Sequence, residues 1–335
     1  PYTPAIIEKV NRIVAFGDIH GDYNLAVKLL QISQVIKIEN DQILWTGGDT
    51  HVVQIGDQID RCRPMGNMTC EHEHTTYQDE ASDIKILELF TNLDLQARKY
   101  GGKVISLLGN HELMNVTGNF GYVSHDNMKQ FENYVDADNP EKKFETPQEA
   151  RQYAFSHQGQ YGKLLGCTRL PAVIIGGNLF VHAGIVDKLV NKLEIDKQSD
   201  LETINVTIRK WLLGLLSHKE VDYLLNGKTS MFWTRILGSI PPDVNINDET
   251  CSTHVTKVLK IFKINKMFIG HTPQSFLYRS GINSTCSNTI WRCDNGSSEA
   301  FAKFDFELMS TGKPNINRIP QAVEIINDNQ FNILT

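Results

Sequence analysis

The chain has 335 residues, of which 41% are apolar and 21% charged, and a formal net charge of −6. That length and apolar share suffice for a large buried core, while the negative balance excludes a general attraction to nucleic acid or to an anionic membrane surface. The longest apolar run, around Leu170 to Val181, is broken by Gly176, Gly177 and Asn178 and falls short of the ~20 residues that a membrane span requires.

The amino end, Pro1-Tyr2-Thr3-Pro4, lacks the basic-then-apolar pattern of a secretory leader, so a soluble, intracellular, cytoplasmic protein is expected. Arg12 to Phe16 is rich in β-branched and apolar residues and predicts a strand, which runs into Gly17-Asp18-Ile19-His20-Gly21-Asp22. Leu25, Leu29, Leu30 and Ile32 recur at helical spacing, predicting a helix over Tyr23 to Val35. Ile43 to Trp45 and Val52 to Ile55 flank the turn-rich Thr46-Gly47-Gly48-Asp49, which predicts a hairpin delivering the chain to Gly56-Asp57-Gln58-Ile59-Asp60-Arg61. Residues 62–82 are polar and read as an inserted surface loop. A helix over Ile84 to Tyr100 stops at Gly101-Gly102, and Lys103 to Leu108 forms the strand before Gly109-Asn110-His111-Glu112.

Residues 115–166 read as a mostly helical, charged excursion that caps the site. Ala172 to Ile175 and Leu179 to Val181, joined by Gly-Gly-Asn, predict a hairpin ending at His182-Ala183-Gly184. Residues 185–226 read as helices, followed by Ser230 to Arg235 with an aromatic pair and a cation. Val255 to Phe262 predicts an amphipathic helix, and Lys266 to Ile269 a strand ending at Gly270-His271-Thr272. Ile290 to Arg292, Ala300 to Phe306 and Ala322 to Ile326 read as short strands. With no repeat or low-complexity linker, the pattern predicts a single α/β (α+β) domain over residues 1–335: a β-rich core flanked by helices, with loops from several strand ends on one rim.

Those loops carry oxygen and imidazole donors. Asp18 and His20 stand one residue apart, so an extended backbone turns both to the same side, where one cation can take both. Asp57 has two carboxylate oxygens able to bridge two cations about 3.5–4 Å apart, and Asn110, His182 and His271 complete the second. Such donors favour two divalent ions (manganese, iron or zinc) over one structural zinc. A water between two such ions has its pKa drawn from 15.7 to about 7, giving a hydroxide for in-line attack on phosphorus. Arg61 and Arg235 can bind the phosphate as planar, bidentate donors, although an arginine after aromatics also commonly covers apolar surface. His111, beside Asn110, is placed to protonate the leaving oxygen, with Asp60 orienting it.

These phrases, in this order from Arg12 to about Ile325, resemble the metallophosphoesterase superfamily and, within it, the phosphoprotein phosphatases. Gly109-Asn110-His111-Glu112-Leu113-Met114-Asn115 with Tyr122-Val123-Ser124, and Phe232-Trp233-Thr234-Arg235, are most similar to the bacterial-type Shewanella-like phosphatases. The resemblance implies a calcineurin-like β-sandwich with a helical cap insertion and a dinuclear site. It also implies phosphomonoester hydrolysis on phosphorylated proteins or peptides. Position by position it implies Asp18, His20 and Asp57 at the first metal, Asp57, Asn110, His182 and His271 at the second, and Arg61, Arg235, His111 and Asp60 at the phosphate and its proton donor. The chain departs from the family phrase at Cys62, where glycine usually follows the arginine, and in the insertion that begins there.

Six scattered cysteines do not make a disulfide scaffold and fit a reduced state, yet Cys62 with Cys70 and Cys286 with Cys293 each close a short loop. Cys62, Cys70, His72 and His74 leave three readings open: a small zinc site, a disulfide or an exposed loop. Tyr122, Phe120, Phe232 and Trp233 line a substrate groove or pack in the core. The expected activity is thus a metal-dependent phosphomonoesterase, with a protein phosphatase ahead of a dinucleoside polyphosphate hydrolase or a non-catalytic phosphoprotein binder; no feature identifies a regulatory subunit.

Overall fold

In the computed structural model, which describes residues 2–335, side-chain alternation along the strands sorts the apolar residues into three layers. On the strand Arg12–Phe16, Ile13 and Ala15 face one way and Val14 and Phe16 the other. Ile13, Ala15, Val53, Ile105, Val173, Phe180 and Phe268 form the inner core between two facing sheets. Val14, Phe16, Val52 and Val104 meet the helices Tyr23–Ile32 and Asp83–Ala97, while Ile174, Leu179, Val181, Met267 and Ile269 meet Gln160–Thr168, Asp187–Lys192, Asp200–Leu212 and Glu249–Phe262. The result is a mixed α/β sandwich, helices outside two sheets.

One six-stranded sheet runs Gln330–Leu334, Ala322–Ile326, Arg12–Phe16, His51–Gln54, Lys103–Leu107 and Arg169–Leu170. Its central strands Arg12–Phe16, His51–Gln54 and Lys103–Leu107 are parallel, so their carboxyl ends emerge on one edge. The other six-stranded sheet runs Ile6–Ile7, Ala172–Ile175, Asn178–Val181, Lys266–Ile269, Ile290–Arg292 and Asn283–Thr285. There Asn178–Val181 and Lys266–Ile269 are parallel neighbours. All five phrases that carry candidate ligands begin where one of these five strands ends.

Three expectations are corrected. Gln42–Trp45 does not form a hairpin with the strand that follows it; it pairs with Ile36–Glu39 in a separate two-stranded sheet, and His51–Gln54 lies between two parallel partners. The Gly47-Gly48 turn therefore leads out of one sheet into another. Residues 300–306 are not a strand but a 3₁₀ helix Glu299–Phe304 leading into Phe306–Thr311, because Ser298 and Asp305 accept the free backbone N–H groups that start each turn. The third correction concerns sulfur. Cys62–Cys70 and Cys251–Cys286 are disulfides, and Cys293 is a buried free thiol. Cys286 and Cys293 cannot meet because they leave opposite ends of the antiparallel pair in which Thr285 faces Ile290 and Asn283 faces Arg292. Cys62 and Cys70 are consumed in their bond, which removes the zinc reading, and His72 and His74 are exposed.

Residues 62–82 contain no helix or strand, only a two-residue bridge between Met65 and Met68. Over residues 115–166 the chain is helical at the end of Asn110–Val116 and in His125–Lys129, Pro147–Phe155 and Gln160–Thr168, with non-helical stretches at 117–124 and 130–146 between them. Among the described residues no helix is long and apolar enough to cross a membrane.

Candidate metal centre and active site

Tight turns at the strand ends force the ligands together. Among the non-glycine residues with left-handed backbone are His20 (φ 48°), Asp57 (φ 54°), Asp60 (φ 73°) and His271 (φ 68°). Concentrated strain of this kind persists only where surrounding structure over-determines it. Glycine makes the approach possible at Gly56 (φ +87°), where a Cβ would lie 2.7 Å from the nitrogen of Gly109 and 2.8 Å from Nδ1 of His182.

Two donor clusters result, His20 with Asp57 and His111, and Asp57 with His182 and His271, and Asp57 belongs to both. Its Oδ2 lies 3.8 Å from Nε2 of His20, 3.2 Å from Nε2 of His182 and 4.0 Å from Nε2 of His111. Asp18 approaches Nε2 of His20 at 3.5 Å, and the side-chain oxygen of Asn110 lies 3.0 Å from Nε2 of His182. The backbone N–H of His271 donates to the Asp18 carboxylate, tying the two sheets' loops together.

Backbone carbonyls set the imidazole orientations. Nδ1 of His20 faces the carbonyl of Ile59 at 3.3 Å and Nδ1 of His182 that of Ile55 at 2.7 Å, which leaves each Nε2 lone pair for a cation. His271 uses Nε2 instead, 3.1 Å from the carbonyl of Trp233, leaving Nδ1 for the cluster.

The electrostatics suit cations. Burial, with Arg63 next, holds His20 well below the usual imidazole range; burial, with His182 next, does the same for His271, so both are neutral donors near pH 7. Burial followed by the like charges of Asp294 and Asp57 pushes Asp18 well up, a crowding that a cation relieves. Burial alone raises Asp57 too, yet His182, His111 and His20 together hold it well down. Oxygen and nitrogen donors without thiolate, three neutral or neutralisable imidazoles and crowded carboxylates fit two borderline divalent ions.

Residues 11–275 match the calcineurin-like phosphoesterase family. The chain belongs to this family. Among its relatives is an uncharacterised protein, R398, of Acanthamoeba polyphaga mimivirus, 39% identical over 259 residues, covering 73% of this chain and 97% of the relative. The Shewanella-like protein phosphatase 2 of Arabidopsis thaliana is 26% identical over 98% of this chain and 78% of its own. In fold the chain is similar to a cold-active protein-tyrosine phosphatase of a psychrophilic Shewanella species, with a TM-score of 0.64 and 20% identity over 99% of this chain and 83% of that one. The chain is accordingly a hydrolase of phosphate esters with a calcineurin-like fold.

Around the phosphoesterase's donor clusters stand the other expected residues. Nδ1 of His111 lies 2.8 Å from Oδ2 of Asp60, and the second oxygen of Asp60 accepts from the amide of Asn115 at 2.9 Å. His111 therefore turns Nε2 towards Asp57 and the site. Arg235 is exposed at the rim and donates to the carbonyl of His271 at 2.9 Å. Arg61 is directed elsewhere: its guanidinium donates to the carbonyls of Gly21, Tyr77 and Gln78 and lies 3.7 Å from Glu80. Of the aromatics, Tyr122 packs edge-on against His111 with ring centres 5.0 Å apart, Trp233 is exposed beside His271, and Phe232 is core.

Three further residues surround the site. Glu112 accepts the backbone N–H groups of Asp57, Gln58 and Gly109, clamping two ligand loops, and burial followed by the charge of Asp57 raises it to about 7. Its signal in the sequence is its place at the third position of a helix, where a glutamate reaches back to orphan N–H groups. Phe301 stands edge-on to His20 with ring centres 5.4 Å apart, and Arg63 fills the space beside it. Neither shows a spacing that marks it.

Proposed function

We propose that this phosphoesterase removes phosphate from phosphorylated proteins or peptides with two divalent ions, manganese, iron or zinc, held by Asp18, His20, Asp57, Asn110, His182 and His271. We also propose that residues 1–335 act as one catalytic unit, with residues 62–82 and about 115–166 as insertions. The observation that carries the reading is the sharing of Asp57 between two buried donor clusters with the His111–Asp60 pair alongside. The relatives named as Shewanella-like protein phosphatases support a phosphoprotein substrate.

When bound, such an ion pair ionises water near neutral pH and offsets phosphoryl charge. The chain's own residues do the rest. Asp60 takes the Nδ1 proton of His111 in a hydrogen bond and fixes the ring, so that Nε2 presents its proton to the departing oxygen. Arg235 adds positive charge at the mouth, and its bond to the carbonyl of His271 limits the rotamers it samples. Glu112 holds Asp57 and Asn110 in register, which keeps the reacting groups positioned before substrate arrives.

The test is turnover by metal-stripped protein with ions added back, on phosphoserine, phosphothreonine and phosphotyrosine peptides beside a dinucleoside tetraphosphate. Metal-dependent release of phosphate from the peptides is expected. Faster cleavage of the dinucleotide would make the chain a nucleotide hydrolase, and full metal loading without turnover on any substrate would leave a phosphoprotein binder.

A further inference from the structure

We propose that Arg63, and not Arg61, is the guanidinium that grips the substrate phosphate from the His20–His111 side; the inference rests on the phosphoesterase reading above. Arg61 has little to offer a substrate. It is 1% exposed, three of its N–H groups are spent on main-chain carbonyls, and its Nε is buried without a partner. Its charge faces Glu80 at 3.7 Å.

Arg63 has the opposite arrangement. Only Nη1 is engaged, donating to the carbonyls of Asp60 at 2.9 Å and Cys62 at 2.7 Å. Arg63 is itself only 8% exposed, yet Nε and Nη2 have no protein partner among the described residues and, unlike Nε of Arg61, are not sealed from solvent. The plane is held in an aromatic clamp, its central carbon 4.9 Å from the ring centre of Phe301 and 5.4 Å from that of Tyr122. Those two rings pack on His20 and His111 respectively, which places the guanidinium in the neighbourhood of both imidazoles. Stacking on aromatic faces and a planar fork of donors are what set arginine apart from lysine at a phosphate.

The insertion supplies the reason for the exchange. Asp60 turns the chain with a left-handed backbone (φ 73°), and the buried Cys62–Cys70 bond closes the loop immediately after Arg61. Lys303 then donates to the carbonyl of Arg63 and to that of Thr75 at 2.8 Å, pinning the segment under the clamp. Where the family phrase continues with glycine, this chain inserts a cross-linked turn that carries a second arginine into the place of the first.

The test compares Arg63→Ala, Arg63→Lys and Arg61→Lys as manganese-loaded proteins, with metal content and circular dichroism checked for each. Binding of inorganic phosphate is read by calorimetry and hydrolysis of p-nitrophenyl phosphate by rate. Arg63→Ala is expected to weaken phosphate binding at least ~10-fold and to cut kcat/KM by ~100-fold. Arg63→Lys restores part of each, and millimolar guanidinium partly rescues Arg63→Ala. Arg61→Lys lowers thermal stability yet leaves phosphate affinity within ~3-fold, since its partners are main-chain carbonyls. Phosphate affinity unchanged in Arg63→Ala, or lost in a folded, metal-loaded Arg61→Lys, would overturn the assignment. Because phosphate binding is read without turnover, absence of hydrolysis by the wild-type protein would count against the phosphatase reading alone.

Discussion

Asp60 illustrates how a single carboxylate can matter without touching a cation. One oxygen accepts from Nδ1 of His111 and the other from Asn115, so both oxygens are committed to orientation. Asp60→Asn keeps the shape and replaces the carboxylate that accepts from Nδ1 of His111 with a neutral amide. Turnover of an aryl phosphate is expected to fall about 10–100-fold with metal content unchanged, as measured by rate and elemental analysis on the same sample. Parallel loss of both would make Asp60 part of the metal site. At this scale the gathering of the candidate donors was legible wherever one sat next to a strand end, because the strand fixes the direction of the next two or three side chains. It was not legible for Arg61 and Arg63. Which of two arginines faces the site depends on the left-handed turn at Asp60 and a disulfide eight residues long, neither of which adjacency reveals.

Among elements, the helix Pro147–Phe155 is joined to the candidate active site through buried polar groups. Arg151 donates to Asn115 at 2.9 Å and to Asp83 at 2.8 Å, and Asn115 donates to Asp60. Both Arg151 and Asp83 side chains are fully buried. Burial raises Asp83 to about 6 even with Arg151 opposing it, so removing the arginine leaves an uncompensated carboxylate. Arg151→Met is expected to cost about 3–5 kcal/mol in urea unfolding, and Asp83→Leu added to it should recover only part, because Asp83 also accepts the N–H of Asp60 at 3.1 Å. A loss below about 1 kcal/mol would mean that the network is dispensable. Helices with a clear apolar stripe, such as Tyr23–Ile32 and Glu249–Phe262, were legible from periodicity. The run at 300–306 misled because its buried apolar residues, Ala300, Phe301 and Ala302, are consecutive and do not alternate, while Phe306 is 86% exposed, and the caps at Ser298 and Asp305 decide its shape. Pairing of Gln42–Trp45 was illegible for a related reason: a turn signal marks where the chain reverses, not which sheet it joins.

In the molecule as a whole, the site exists because two sheets present the carboxyl ends of parallel strands to one another. Asp18, Asp57 and Asn110 come from one sheet, His182 and His271 from the other, and the N–H of His271 bonding to Asp18 spans them. The sandwich and the rim could be read from the chain because each candidate phrase followed an apolar strand; the Cys251–Cys286 cross-link could not, since the two meet only when a helix packs over the second sheet. The central claim is that Asp57 is common to two cation sites. Anomalous diffraction from manganese-soaked crystals tests it directly: two peaks about 3.5–4 Å apart, both in contact with Asp57, are expected. A single peak, or two peaks of which one makes no contact with Asp57, would contradict it.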